Sequence, residues 1–115
     1  MSDITRIETG PRMSQAVVHG GVVYLAGQVG TAGASVTVQT QDILTNIDRL
    51  LAEVGSDKTK ILQTTIWMSS MDDFAEMNAV WDAWVSPGNA PARAAGESKL
   101  ATPDYKVEIL CIAAI

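Results

Sequence analysis

A chain of 115 residues has the size of a single domain, and its hydrophobic share of 47% is high beside a charged share of only 18%. The net charge of −5 and the lack of a run of Lys or Arg residues argue against a surface that binds nucleic acid through its phosphates. Few charges on so small a domain indicate that a partner covers part of its exterior.

The first predicted elements are three short strands, and Gly10-Pro11 breaks the chain after the first of them. Gly20-Gly21 lies between the second and third, where it is typical of a two-residue β-hairpin turn. The expected strands are residues 4–8, 16–19 and 22–26, and residues 27–35, rich in Gly, Ala and Ser, are expected to form a loop.

Two helices and a strand are predicted next. Apolar residues recur at helical spacing from Ile43 to Val54, and Gly55 ends this first helix. Residues 60–68 read as a strand rich in β-branched side chains. Ser70 and Asp73 match a capping box for a second helix. Its apolar face contains Phe74, Met77, Trp81, Trp84 and Val85, and Pro87-Gly88 ends it.

Two closing strands, residues 92–99 and 105–114, surround a turn at residues 102–104. The chain is therefore one α+β domain over residues 1–115, in the order β-β-β-α-β-α-β-β, with both helices on one face of the sheet. Odd and even positions of the last strand are both apolar, so both of its faces need cover. No further chain remains to cover the second face, and we expect other subunits to do so.

The lone cysteine, Cys111, excludes an internal disulfide and a cysteine-rich metal site, and its apolar neighbours predict a place in the core. We expect no metal and no cofactor. The first residues lack the pattern of a signal peptide, and no apolar run reaches the ~18 residues that span a bilayer. The expected location is the cytoplasm, without membrane contact.

Arg93 and Glu108 are the candidate catalytic residues, because each is a charged group on a short apolar strand. A guanidinium grips a carboxylate through two parallel hydrogen bonds, and a carboxylate positions or deprotonates a water. The structural alternatives are an ion pair of Arg93 with Glu97, and of Glu108 with Lys106 or Lys99.

If the last two strands form a tight hairpin, Glu108 pairs near Glu97, and Arg93 lies roughly 13 Å further along. A shared site then needs a bulge, for which Gly96 is the candidate, or residues from two subunits. We predict a cleft between subunits.

The chain resembles the Rid (YjgF) family of small imine deaminases over almost its whole length. Pro91-Ala92-Arg93 followed by Val107-Glu108-Ile109 is the specific part of the resemblance. The other motifs are Gly10-Pro11 with Ser14-Gln15-Ala16-Val17, Tyr24-Leu25-Ala26-Gly27-Gln28-Val29 and Asp73-Phe74-Ala75-Glu76-Met77-Asn78.

The resemblance implies a chorismate-mutase-like fold and a homotrimer whose sheets close into a central barrel, with active clefts between subunits. It implies hydrolysis of reactive 2-imino and 2-enamino acids, such as 2-iminopropionate and 2-aminoacrylate, to a 2-keto acid and ammonia, without a cofactor. Arg93 would hold the substrate carboxylate and Glu108 the attacking water, while Gly27 and Asn78 would line the cleft. A structural role for Asn78 is the alternative, since buried amides are normally paired.

Three positions depart from the family pattern and bear on substrate preference. Arg12 and Met13 stand where a Tyr often follows Gly-Pro, and Met13 is counted among the candidate substrate-binding residues. Ala26 replaces a common Ser, and Ala95 replaces a Cys or Thr. Ala95 keeps its backbone N–H, so it remains a candidate for binding an anion. The competing functions are a non-catalytic sensor of 2-keto acids and, against the charge, RNA cleavage.

Overall fold

The computed structural model describes residues 3–115 as a six-stranded sheet with two long helices, which confirms the predicted α+β class. The strands are β1 Thr5–Thr9, β2 Ser14–His19, β3 Val22–Leu25, β4 Ile61–Met68, β5 Ala92–Glu97 and β6 Val107–Ala114; the helices are α1 Val36–Glu53 and α2 Phe74–Trp84. No helix in this part of the chain is long and apolar enough to cross a bilayer.

The order of strands across the sheet is β1-β2-β3-β6-β4-β5. β5 pairs in parallel with β4, and β6 lies antiparallel between β3 and β4. The prediction that the last two strands form a hairpin is therefore wrong. The physical reason is the β4-α2-β5 unit, because a crossover through a helix brings the next strand back parallel to the first. The bulge at Gly96, one of the two alternatives considered from the sequence, is also absent, since the β4–β5 register is continuous.

The β2–β3 hairpin is confirmed as predicted. Gly20 and Gly21 have φ values of +60° and +76°, the left-handed region that a type I′ turn requires at both of its central positions. His19 and Val22 form the last pair before this turn. The turn fixes the register in which Ala16 and Val23 enter the core.

The start of α2 differs from the capping box expected from the sequence. The hydroxyl of Ser70 accepts a hydrogen bond from the N–H of Asp72, while its backbone carbonyl accepts from the N–H of Asp73, so Ser70 caps a one-turn 3₁₀ helix over Met71–Asp73. The α-helix begins only at Phe74, and Asp73 makes no capping bond. At α1, Ser35 is the N-cap and accepts from the N–H of Val38.

The core lies between the helices and one face of the sheet. Val107, Ile109, Cys111 and Ala113 of β6 are fully buried there, as the alternation along β6 predicts. Burial raises the pKa of the Cys111 thiol to about 11, so Cys111 is an uncharged core residue at neutral pH, as expected. Its Sγ lies 3.4 Å from the hydroxyl of Thr64.

The sheet side away from the helices, called the open face below, carries large apolar side chains that this chain leaves partly exposed. Tyr24 is 46% exposed and Trp67 39%, while Leu110 and Ile112 are half-buried. Cover of this face by other subunits stays a prediction.

Gln39 of α1 ties the segment before β6 to the helix layer. Its amide nitrogen donates to the carbonyls of Ala34 and Asp104 at 2.9 and 3.0 Å, and its oxygen accepts from the N–H of Lys106 at 2.9 Å. The side chain is fully buried. Gln39 thus fixes the position at which β6 begins, and with it the position of Glu108.

Replacing Gln39 with leucine is expected to lower the free energy of unfolding by roughly 1–3 kcal/mol, because it leaves three backbone groups without their partner. Chemical denaturation of the two proteins measures the difference. Gln41→Leu, an exposed position on the same helix, is the matched control. Equal losses in the two variants would contradict the role given to Gln39.

Candidate active site

Arg93 lies on β5, the edge strand of the sheet, with its side chain on the side of the helices. It pairs with Thr64, which is fully buried beneath the helices. Its Nη1 donates to Oδ1 of Asn78 on α2 at 2.9 Å, so the sequence-predicted pair Arg93 and Asn78 is in contact. The guanidinium carbon also lies 5.7 Å from the ring centre of Phe74 and 5.4 Å from that of Trp81.

The charge of Arg93 is not neutralised by a carboxylate anywhere in residues 3–115. Glu97, the ion-pair partner considered from the sequence, instead accepts a hydrogen bond from the N–H of Met71 at 3.0 Å. The ion pairs of the described chain join Arg49 to Glu8 and Glu53. Arg93 therefore combines a fixed position with a free positive charge.

Ala95 adds a backbone donor at the same strand edge. The N–H of Ser98 points toward β4, where it donates to the carbonyl of Met68 at 2.9 Å. Because successive N–H groups of a strand alternate in direction, the N–H of Ala95 points away from β4, to the free edge of the sheet. A carboxylate at this edge would meet the N–H of Ala95 close to the Arg93 strand position.

Glu108 lies on the open face, in register with Trp67 of β4. Neither Lys106 nor Lys99 forms an ion pair with it within residues 3–115. Its carboxylate packs against Gly27, where a Cβ atom would lie 2.3 Å from Oε2. Two backbone hydrogen bonds between Gln28 and Ile109, of 2.8 and 3.1 Å, hold the Gly27 segment beside β6.

Met13 comes just before β2, on the β1 side of the sheet. It is 49% exposed in the β1–β2 connection, and its carbonyl accepts from the N–H of Gly10. Two residues on, Gln15 accepts a side-chain hydrogen bond from Gln28. β1 and β5 are opposite edges of the sheet, so Met13 is remote from Arg93 within one protomer.

The candidate residues therefore fall into two groups that one protomer does not bring together. Arg93 and Glu108 stand two strands and three residue rows apart, roughly 14 Å by sheet geometry, and their side chains leave opposite faces. Asn78 and Ala95 lie near Arg93, Gly27 lies against Glu108, and Met13 is remote from Arg93.

Phe74 and Trp81 are neighbours of Arg93 that the sequence assigned only to the core. Their contact with the guanidinium follows from helical spacing, because Phe74, Asn78 and Trp81 occur at positions i, i+4 and i+7 and share one face of α2. The position of Asn78 on this apolar stripe is the signal in the sequence. No cluster of metal-ligating side chains occurs among residues 3–115.

Replacing Gly27 with alanine is expected to displace the Glu108 carboxylate without straining the backbone, since the φ angle of Gly27 is not in the left-handed region. A shift of about 1 Å in a reacting group costs on the order of 100-fold in turnover. Steady-state kinetics measure the loss of turnover, and thermal melting measures any loss of stability. In a Glu108→Ala background there is no carboxylate to displace, so Gly27→Ala is expected to leave the melting temperature unchanged; an equal fall in melting temperature in both backgrounds would contradict the contact.

Comparison with known proteins gives one consistent result. A family model described as Endoribonuclease L-PSP matches residues 4–115. A RutC family protein of Haemophilus ducreyi is 47% identical over 113 residues, covering 97% of each chain. The RutC family protein YoaB of Escherichia coli is 41% identical, with 97% of this chain and 98% of YoaB covered.

The comparison with solved structures gives the same family as the comparison of sequences. The crystal structure of a YjgF-family protein from Neisseria meningitidis matches with a TM-score of 0.95 and 48% identity, covering 97% of this chain and 94% of that one. A Mycobacterium tuberculosis member of the same family, 24% identical, shares the fold with a TM-score of 0.89. The chain belongs to the Rid/YjgF family, as its motifs predict.

Proposed function

We propose that this chain hydrolyses short 2-imino and 2-enamino acids to the 2-keto acid and ammonia, in clefts that two copies of the chain complete within a homotrimer. The observation that carries the proposal is the division of the site. One copy offers a fixed, un-neutralised guanidinium at a free strand edge, and the other offers a carboxylate on the open face, against Gly27.

Arg93 and the N–H of Ala95 bind the substrate carboxylate. A guanidinium that already has its position fixed loses little conformational entropy when it forms two further parallel hydrogen bonds. Asn78 takes one Nη1 hydrogen, and its amide is neutral, so the charge of Arg93 remains available to the substrate. The carboxylate is the part of the substrate that is common to the class, which leaves the side chain to vary.

Glu108 of the second copy holds the attacking water. The water adds to the carbon of the protonated C=N bond, and Glu108 accepts the proton that the water loses. Glu108 returns that proton to nitrogen and then takes the hydroxyl proton of the intermediate as the C–N bond breaks and the C=O bond of the 2-keto acid forms. The departing ammonia carries this proton away as ammonium. An enamine enters as its imine tautomer. The imine carbon is already electrophilic, so holding both reactants together supplies much of the acceleration.

The experiment generates 2-iminopropionate from alanine with an amino-acid oxidase and follows its disappearance against spontaneous hydrolysis. Wild-type protein is expected to accelerate the loss, and Arg93→Ala to leave it at the spontaneous rate. Arg49→Ala removes another guanidinium, on α1, and is expected to behave as wild type. Equal rates with wild type and with no protein would remove the proposal.

A 2-keto acid sensor without catalysis uses the same Arg93 half-site, and it is the outcome if pyruvate raises the melting temperature but no imine is consumed. The family description names an endoribonuclease. This chain carries one histidine and a net charge of −5, neither of which favours RNA as a substrate, so RNA cleavage is not proposed.

A further inference from the structure

The guanidinium of Arg93 lies against two aromatic rings of α2. Its carbon is 5.4 Å from the ring centre of Trp81 and 5.7 Å from that of Phe74, both within the range of a cation–π attraction. Between the rings along the helix, Asn78 accepts the one side-chain hydrogen bond of Arg93 in the described chain. We call Phe74, Asn78 and Trp81 the arginine cradle.

Contacts within the helix layer hold Trp81 of the cradle in place. Trp81 is 5% exposed and contacts the ring of Trp84 at 5.4 Å between centres. Trp84 is fixed in turn by a hydrogen bond of 2.9 Å from its indole N–H to Asp48 of α1. A side chain on an exposed edge strand thus rests on a surface anchored to the helix layer.

The chemistry of the cradle matters because a guanidinium is usually held by a carboxylate, which also neutralises it. Aromatic faces attract the cation without using any of its five N–H donors, and Asn78 uses only one. The rings also remove water from one side of the guanidinium. The remaining donors stay free and charged for a ligand.

We infer that Phe74 and Trp81 are positioning residues. They fix Arg93 for a substrate carboxylate without neutralising its positive charge. This inference rests on the proposed function for its kinetic readout, but the order of the Arg93 side chain and the binding of pyruvate test it without turnover. Phe74 and Trp81 touch Arg93 and need not touch substrate.

The test compares Phe74→Leu and Trp81→Leu with Val80→Ala, which removes apolar bulk from the same helix at a partly buried position outside the cradle. Phe74→Leu and Trp81→Leu are each expected to raise KM and the pyruvate Kd by roughly two- to thirty-fold, with kcat little changed. Val80→Ala is expected to keep both constants near wild type. Phe74→Tyr keeps an aromatic face and is expected to restore them.

Relaxation of the Arg93 Nε–H by NMR provides the second measurement. Both cradle variants are expected to lower its order parameter, and Val80→Ala is not. If Phe74→Leu melts lower but keeps the wild-type KM, Kd and order parameter, the rings are core residues only and the inference is overturned. If wild type binds pyruvate and shows an ordered Arg93 but consumes no imine, the proposed function fails while the cradle stands.

Discussion

Replacing Glu108 with glutamine is expected to lower kcat for 2-iminopropionate by roughly 100- to 10,000-fold, the range for losing a positioned general base. The amide keeps the shape of the side chain beside Gly27 but accepts no proton. Binding of pyruvate to the Arg93 half of the site is expected to remain within about twofold of wild type, because the carboxylate of the ligand does not meet Glu108. Rapid kinetics and calorimetric titration measure the two quantities.

Glu97→Gln is the matched control, since Glu97 is a strand glutamate that bonds to the N–H of Met71 and glutamine still accepts that bond. It is expected to retain wild-type turnover. A Glu108→Gln variant with wild-type kcat would show that the water is activated elsewhere.

Replacing Arg93 with lysine is expected to raise KM by roughly 10- to 100-fold, the worth of one charge-assisted hydrogen bond lost from a bidentate pair. An ammonium is a point charge and does not reproduce the planar fork, nor the contact of a flat cation with the rings of Phe74 and Trp81. The free energy of unfolding is expected to change little, because Arg93 is exposed in the protomer.

Arg49→Lys tests whether any arginine matters in this way, since Arg49 of α1 binds the surface carboxylates of Glu8 on β1 and Glu53 on α1. Wild-type kinetics are expected for it, and the binding of pyruvate to Arg93→Lys is expected to fall in parallel with its KM. Unchanged KM in Arg93→Lys would mean that charge alone, without geometry, holds the substrate.

Local features of the fold follow closely from the sequence. Two adjacent glycines allow positive φ at both central positions of the β2–β3 turn, so Gly20-Gly21 identifies the hairpin. The alternation of β6 likewise identifies its buried face, which contains Val107 and Ile109. These predictions depend on residues near one another in the chain, where steric rules and side-chain period decide the outcome.

The order of strands across the sheet could not be predicted from such local rules. A turn at residues 102–104 suggested that β5 and β6 pair, yet β6 inserts between β3 and β4. The helices decide the pairing: α2 returns β5 parallel to β4, and β6, which is apolar at every position except Glu108, lies in the interior of the sheet between β3 and β4.

The same limit applies to the candidate site. The sequence identified Arg93 and Glu108 as charged groups on apolar strands, but it does not show on which face of the sheet each side chain lies. Only the register of both strands with β4 shows that they point in opposite directions. The role of Trp81 was likewise hidden, because a tryptophan on an apolar helix face reads as core until its contact with a cation is known.

Complementation between two inactive variants tests the divided site most directly. Arg93→Ala and Glu108→Ala are each expected to be inactive, and co-refolding them with distinct tags yields mixed assemblies that are isolated by both tags. In a closed ring of three, every assembly that contains both variants has one cleft of three with both residues intact, so about a third of wild-type activity is expected. Tagged assemblies that contain both variants and stay inactive would contradict the account.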